Sequence, residues 1–266
     1  MRCEVFLISN FLFLISIFFV LTGCAFIPTI SQPRNVLPSE LKSCNSDIIA
    51  SIQKRGEDLK TFKGTAQVEA IFEDGRELSG RAVIVVKRPR LFRLEIFGPF
   101  NQIIAVVTYN GESVSLLSLQ EKRLYRNYPL PIDASRLPQY ILGLPAAATR
   151  NYESAEHPSK GWIESQENPP PCLYVTSKGE QILINTEGAI QEIISHASDL
   201  RGKDYNMHVS MASYKEVNSF LFPFSISISN KSFHISIKYN DMELNQQISE
   251  DLFSLSLMQG IEDIAP

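Results

Sequence analysis

Histidines, cysteines and carboxylates are the residues of this chain that could do chemistry, and their spacing argues against catalysis. The four histidines are His157, His196, His208 and His234. They are scattered, and no Cys-x-x-Cys or His–Cys spacing marks a metal site. His208 and His234 fall on the polar faces of different strands and read as solvated. There is no glycine-rich phosphate loop and no Gly-x-Ser-x-Gly elbow. Asp and Glu are dispersed, without the pairing that glycoside chemistry needs. Lys87-Arg88-Pro89-Arg90 reads as a solvated basic turn, with a phospholipid headgroup contact as the sharper alternative. The expectation is a protein that is not an enzyme and that needs neither metal nor cofactor. A net charge of −4 leaves no electrostatic footprint for nucleic acid. With 44% hydrophobic residues in 266, one sizeable core can form.

The remaining chemistry is that of a thiol. An apolar run from Val5 to Leu21 ends in Leu21-Thr22-Gly23-Cys24. Small residues before a cysteine, just after an apolar segment, resemble the bacterial lipoprotein processing box. That resemblance implies cleavage before Cys24 and lipidation of its thiol and new amino terminus; an uncleaved anchor helix is the alternative. In Gram-negative lipoproteins an Asp after the cysteine favours inner-membrane retention. Ala25 therefore points to the outer membrane, with the folded body facing the periplasm. Residues 1–23 are then a signal peptide and 24–38 a lipidated tether with Pro28, Pro33 and Pro38. Residues 39–266 are the folded domain. Cys44 and Cys172 remain in an oxidising compartment, either as a disulfide or as two small buried thiols.

The elements that carry these residues follow from the hydrophobic period. Residues 39–60 read as a helix, with Ser39 as N-cap and Leu41, Ile48, Ile49, Ile52 and Leu59 on one stripe. From Gly64 the period changes to two. Ala66, Val68, Ala70 and Phe72 alternate with polar residues, and Asp74-Gly75 and Asn110-Gly111 are hairpin signals. Similar runs recur to Tyr239, giving about ten or eleven short strands, mostly one-sided and joined by short turns, hence antiparallel. A short helix lies near Asp133–Leu142. A one-sided sheet must pack on another sheet, close into a barrel, or curve around helices. Two helices cannot easily fill so many strands, which leaves apolar surface facing an internal cavity. The candidate liners are Phe72, Val83, Val85, Phe92, Leu94, Ile96, Met207 and Met211, any of which could equally be ordinary core.

Gln139-Tyr140-Ile141-Leu142-Gly143-Leu144-Pro145, followed by Ala148-Thr149, resembles the LolB family of outer-membrane lipoprotein receptors. Phe62-Lys63-Gly64 and Arg93-Leu94 fall in the matching order, and Tyr140 stands where the family commonly has Trp. The resemblance implies a curved antiparallel half-barrel of the LolA/LolB type, enclosing a hydrophobic cavity plugged by short helices. Tyr140 and Ile141 then line the cavity from the plug. It also implies binding of lipoprotein acyl chains, insertion of that cargo into the outer-membrane bilayer, a periplasmic LolA-like carrier as donor, and a monomer. In such proteins a loop carries a protruding apolar residue, usually Leu followed by Gly. Gly98-Pro99-Phe100-Asn101 occupies that place, with Phe for Leu and Asn for Gly. Phe100 is either this membrane-insertion residue or folded against a neighbouring strand. Leu252-Phe253-Ser254-Leu255 resembles the ending of wider LolA/LolB-fold lipoproteins. A structural or assembly lipoprotein, using the same fold for docking or for another hydrophobic ligand, is the alternative function.

Overall fold

Alternating burial builds a single sheet. The structure, a computed structural model, describes residues 42–130, 132–145, 172–176, 179–198 and 204–264. All of these belong to one compact unit. The first half comprises β1 (Lys42–Ser43), α1 (Ser46–Asp58), β2 (Thr61–Phe72), β3 (Glu77–Lys87), β4 (Leu91–Phe97), β5 (Ile103–Asn110), β6 (Val114–Ser118), β7 (Arg123–Arg126) and α2 (Leu137–Ile141). The second half comprises β8 (Cys172–Val175), β9 (Gln181–Ile184), β10 (Ile190–Ser198), β11 (Asp204–Val217), β12 (Phe220–Ser229), β13 (Phe233–Leu244), a 3-10 helix (Glu250–Phe253) and β14 (Glu262–Ile264).

Among the described residues fourteen strands form one open, curved sheet in the order β1-β8-β9-β10-β11-β12-β13-β2-β3-β4-β5-β6-β7-β14. Antiparallel pairing of β13 with β2, from Phe233 opposite Phe72 to Leu244 opposite Phe62, joins the two halves. The number exceeds the ten or eleven read from periodicity. Both edge strands are too short to show a period, and both pair in parallel, β1 with β8 and β14 with β7. Such short edges leave little backbone open to another chain.

Antiparallel connection gives the sheet two rims. The upper one carries the turns at 73–76, 98–102, 119–122 and 230–232. The lower one carries those at 88–90, 111–113, 185–189 and 218–219. The main core lies on the inner face, where Phe62, Ala66, Ile84, Val86, Phe92, Ile193, Val209, Ile226 and Ile237 join residues of α1 and α2. A smaller cluster on the outer face unites Val106, Leu117 and Leu124, against which Leu255 and Ile261 of the C-terminal segment pack. That segment is also held by Lys87 to Glu250 at 2.7 Å and by Arg93 to the Leu252 carbonyl at 2.8 Å.

The first helix starts at Ser46, later than expected. Its N-cap is Asn45, whose side chain accepts from the Asp47 amide at 3.1 Å. Lys42–Ser43 pairs with β8, and Cys44 forms a disulfide with Cys172, so the chain stays extended until the cap. Ser39 and Leu41, like the signal peptide, Cys24 and the tether, lie outside the described residues.

Candidate functional site

The segment 137–144 lies on the inner face as a plug. Asp133 starts it, accepting from the Ser135 amide at 2.9 Å and the Ser135 hydroxyl at 2.7 Å. Pro138 suits the first turn, where its missing N–H has no intrahelical partner. Gly143 ends it with φ +64°, and the Leu144 amide donates to the Gln139 carbonyl at 2.9 Å. A Cβ at Gly143 would sit 2.7 Å from Pro223 Cγ, so glycine is required there for space as well as for backbone angle.

Leu137, Tyr140, Ile141, Leu142 and Leu144 are all buried. Side-chain hydrogen bonds tie the plug to the sheet. Tyr140 shares one with the Ser195 hydroxyl at 2.9 Å, and Tyr239 donates to the Ile141 carbonyl at 3.2 Å. Gln139 donates to the Pro89 carbonyl at 3.2 Å. Burial pushes both tyrosine phenols above their ordinary range, so each stays a neutral hydroxyl. Arg136 reaches the buried Glu180 carboxylate and Asp133, each at 3.5 Å.

The structure sorts the expected liners. Phe92, Tyr140, Ile141, Met207 and Met211 are buried together in the inner-face cluster, and Phe72 and Leu94 pack half-buried against it. Ile96 is buried opposite Ala82 on the same face. Val83 and Val85 are corrected: they alternate with Ala82, Ile84 and Val86, so they point to the outer face. Val85 pairs with Arg93, which binds the C-terminal segment, and this cover explains an apolar residue there.

An aromatic group was missed as lining. Phe62 stacks on Phe222 at 5.3 Å, and Tyr239 meets both rings edge-on at 5.2 and 6.0 Å. Its signal was Gly64, because a Cβ there would lie 2.6 Å from the Phe62 ring.

At the upper rim Phe100 is 90% exposed. The turn beneath it is closely bonded. The Gly98 amide donates to the Gln102 carbonyl at 2.9 Å, and the Phe100 amide to Gln102 Oε1 at 3.0 Å. Asn101 takes φ +61°, the left-handed conformation that Asn tolerates, and Arg81 donates to its side chain. A Cβ on Gly98 would meet Gln102 Nε2 at 2.7 Å and Ile104 Cγ2 at 2.9 Å. The turn is therefore fixed while its apolar tip touches nothing that buries it. Phe100→Glu is expected to change stability by less than about 0.5 kcal/mol, checked by chemical denaturation, as for other surface substitutions.

The basic cluster is at the other end. Lys87-Arg88-Pro89-Arg90 lies at the lower rim, where Lys87 pairs with Glu250 at 2.7 Å and Arg88 donates to the Leu59 carbonyl at 3.3 Å. It is near the Phe100 turn in sequence only. His208 faces Glu192 at 3.4 Å and His196 meets Asn206 at 2.7 Å, both on the outer face. Among the described residues no group of three His, Cys, Asp or Glu could hold a metal. Ala148-Thr149 and His157 lie outside those residues.

No family model and no curated protein matches this chain. Solved structures do. A LolA superfamily protein from Nitrosomonas europaea is 11% identical, with a TM-score of 0.50 over 78% of this chain and 97% of that one. An outer-membrane lipoprotein-sorting protein domain from Vibrio parahaemolyticus is 9% identical, with a TM-score of 0.46 over 78% and 94%. The match to the Nitrosomonas protein, together with the open curved sheet and its inner plug, shows that this chain has the fold of the LolA/LolB fold family.

Proposed function

We propose that this chain is a lipid-anchored lipoprotein of the outer membrane, facing the periplasm, that shelters lipoprotein acyl chains on its inner face and helps insert them into the bilayer. One observation carries the reading. The inner face is an apolar trough whose centre is occupied by a short segment, 137–144, packed on it by the apolar side chains of Leu137, Ile141, Leu142 and Leu144. An acyl chain gains about 0.8 kcal/mol per methylene removed from water, so a chain of ordinary length offsets the displacement of such a plug. Met207 and Met211 give the wall the adaptable side chains that varied acyl chains need. Phe100, held out on Gly98-Pro99, then contacts the bilayer during delivery. Lipidation at Cys24 and receipt of cargo from a LolA-like periplasmic carrier belong to the same reading. Transfer of the cargo itself makes and breaks no covalent bond and needs no cofactor.

The test is uptake of a fluorescent fatty acid by the purified chain, with native mass spectrometry for co-purified lipid. Saturable binding at about one site per chain is expected, and Phe100→Glu should keep that uptake while slowing delivery of acylated cargo to vesicles. Absence of any bound acyl species would remove the reading. It would favour the alternative, an envelope assembly protein with a filled core, for which the burial of Met207, Met211 and Tyr140 speaks.

A further inference from the structure

Exposed apolar side chains are concentrated at one end of this sheet. Among the described residues the large ones are Ile71, Leu78, Phe100, Leu252, Leu257 and Met258. Ile71 and Leu78 flank the 73–76 turn on opposite faces of the sheet, and Phe100 tips the 98–102 turn. Leu257 and Met258, 54% and 55% exposed, come to the same rim by a different route. The C-terminal segment climbs the outer face, packs Leu255 against Val106 and Leu117, and turns over next to Lys122. There the Ile261 amide donates to the Met258 carbonyl at 3.1 Å, and the Glu262 amide to the Lys122 carbonyl at 2.9 Å. Only Leu252 of the six lies away from this rim, partway up the segment.

We propose that this upper rim is a lipid-contacting collar, in which Phe100, Leu257 and Met258 enter the bilayer interface with Ile71 and Leu78 beside them. The proposal rests on the lipoprotein reading above and extends it from one loop to a surface. The apolar residues stand singly on separate turns rather than in a contiguous patch. A folded partner would need a separate socket for each tip, whereas the acyl boundary of a bilayer yields to all of them. The rim carries charges of both signs, among them Arg76, Arg81, Lys122 and Lys231 and also Glu73, Asp74, Glu77 and Glu121. Apolar contact rather than charge therefore carries the binding, and it should survive high salt.

Chain length allows the collar to face the membrane that holds Cys24. The chain enters the sheet at the lower rim, because Lys42 pairs with Cys172, which lies opposite Ile184 beside the 185–189 turn. The sheet between the rims is about 40 Å high, taking the 12 residues of β2 at about 3.3 Å each. Residues 25–41 can reach at most about 55 Å at about 3.3 Å per residue. An anchored domain can thus turn its upper rim to its own bilayer, but only with most of that length.

The experiment uses the full lipidated chain in zwitterionic vesicles with brominated acyl chains. Trp162, the single tryptophan, is replaced by Phe. Phe100→Trp and Met258→Trp are then introduced separately. Both emissions are expected to fall at least twofold relative to unbrominated vesicles, at low and high salt alike. Deleting residues 28–37 should abolish the quenching while the protein still sediments with vesicles. Unquenched Trp at 258 would overturn the collar, and so would quenching that survives the deletion. A lipid-free emission shift that grows with protein concentration would replace it with a contact between copies. Fatty-acid uptake is measured on the same proteins: quenching without uptake would remove the acyl-binding reading and leave the collar, and uptake without quenching the reverse.

Discussion

Tyr140→Ala is expected to destabilise the fold by about 3–5 kcal/mol, the range for truncating a fully buried aromatic residue. Tyr140 is wholly buried in the plug, and its hydroxyl meets Ser195 on β10 at 2.9 Å. The substitution removes the ring's contacts and leaves the Ser195 hydroxyl without that partner. Tyr140→Phe separates the two effects. It keeps the ring and loses only the hydroxyl, with its contacts to Ser195 and Arg136, so it should cost about 1 kcal/mol. Urea denaturation of the three proteins reads both values. If Tyr140→Ala costs less than Tyr140→Phe, the plug does not pack as described.

Removing the disulfide should have an effect of similar size. Cys44 and Cys172 are 128 residues apart in sequence, so their bond restricts a long stretch of the unfolded chain. The double substitution Cys44→Ala, Cys172→Ala is expected to cost about 2–5 kcal/mol, and dithiothreitol should bring the parent protein down to the same stability. The bond also fastens the short β1 to β8 and fixes where α1 begins. Hydrogen exchange in α1 should therefore rise in the variant more than exchange in β3. A parent protein whose melting temperature ignores reductant would show that the bond does not hold the edge.

One-sided burial made most strands legible. Ala66, Val68, Ala70 and Phe72 read as one face because the other face of β2 meets solvent. Asp74-Gly75 and Asn110-Gly111 read as turns because Gly75 and Gly111 take φ +81° and +97°. Periodicity fell silent where both faces are covered. Val83-Ile84-Val85-Val86 is apolar throughout, since the plug lies on one side and the C-terminal segment approaches the other. With no polar residue to set the parity, Val83 and Val85 were placed on the wrong face.

The start of α1 was misread for a different reason. Ser39 is a good local cap, but the disulfide and the pairing with β8 act over long range and hold the chain extended. The edge strands β1 and β14 are defined by what they pair with and not by their own residues. Phe100 lies within a turn, where side-chain parity is lost, so the sequence left two orientations open; the hydrogen bonds of Gln102 and Arg81 hold the turn that points it outward. The upper rim was hidden because its members are far apart in sequence, and only the route of the C-terminal segment brings Leu257 and Met258 to the end where Phe100 lies.

The central claim is that the plug gives way to acyl chains on the inner face. Hydrogen exchange of the amides in 137–144, measured with and without a saturating long-chain fatty acid, tests it most directly. Those amides should exchange at least tenfold faster with ligand bound, while the paired strands β2 and β13 keep their protection. Unchanged exchange of the plug at ligand saturation would contradict the account and leave the inner face as a permanently filled core.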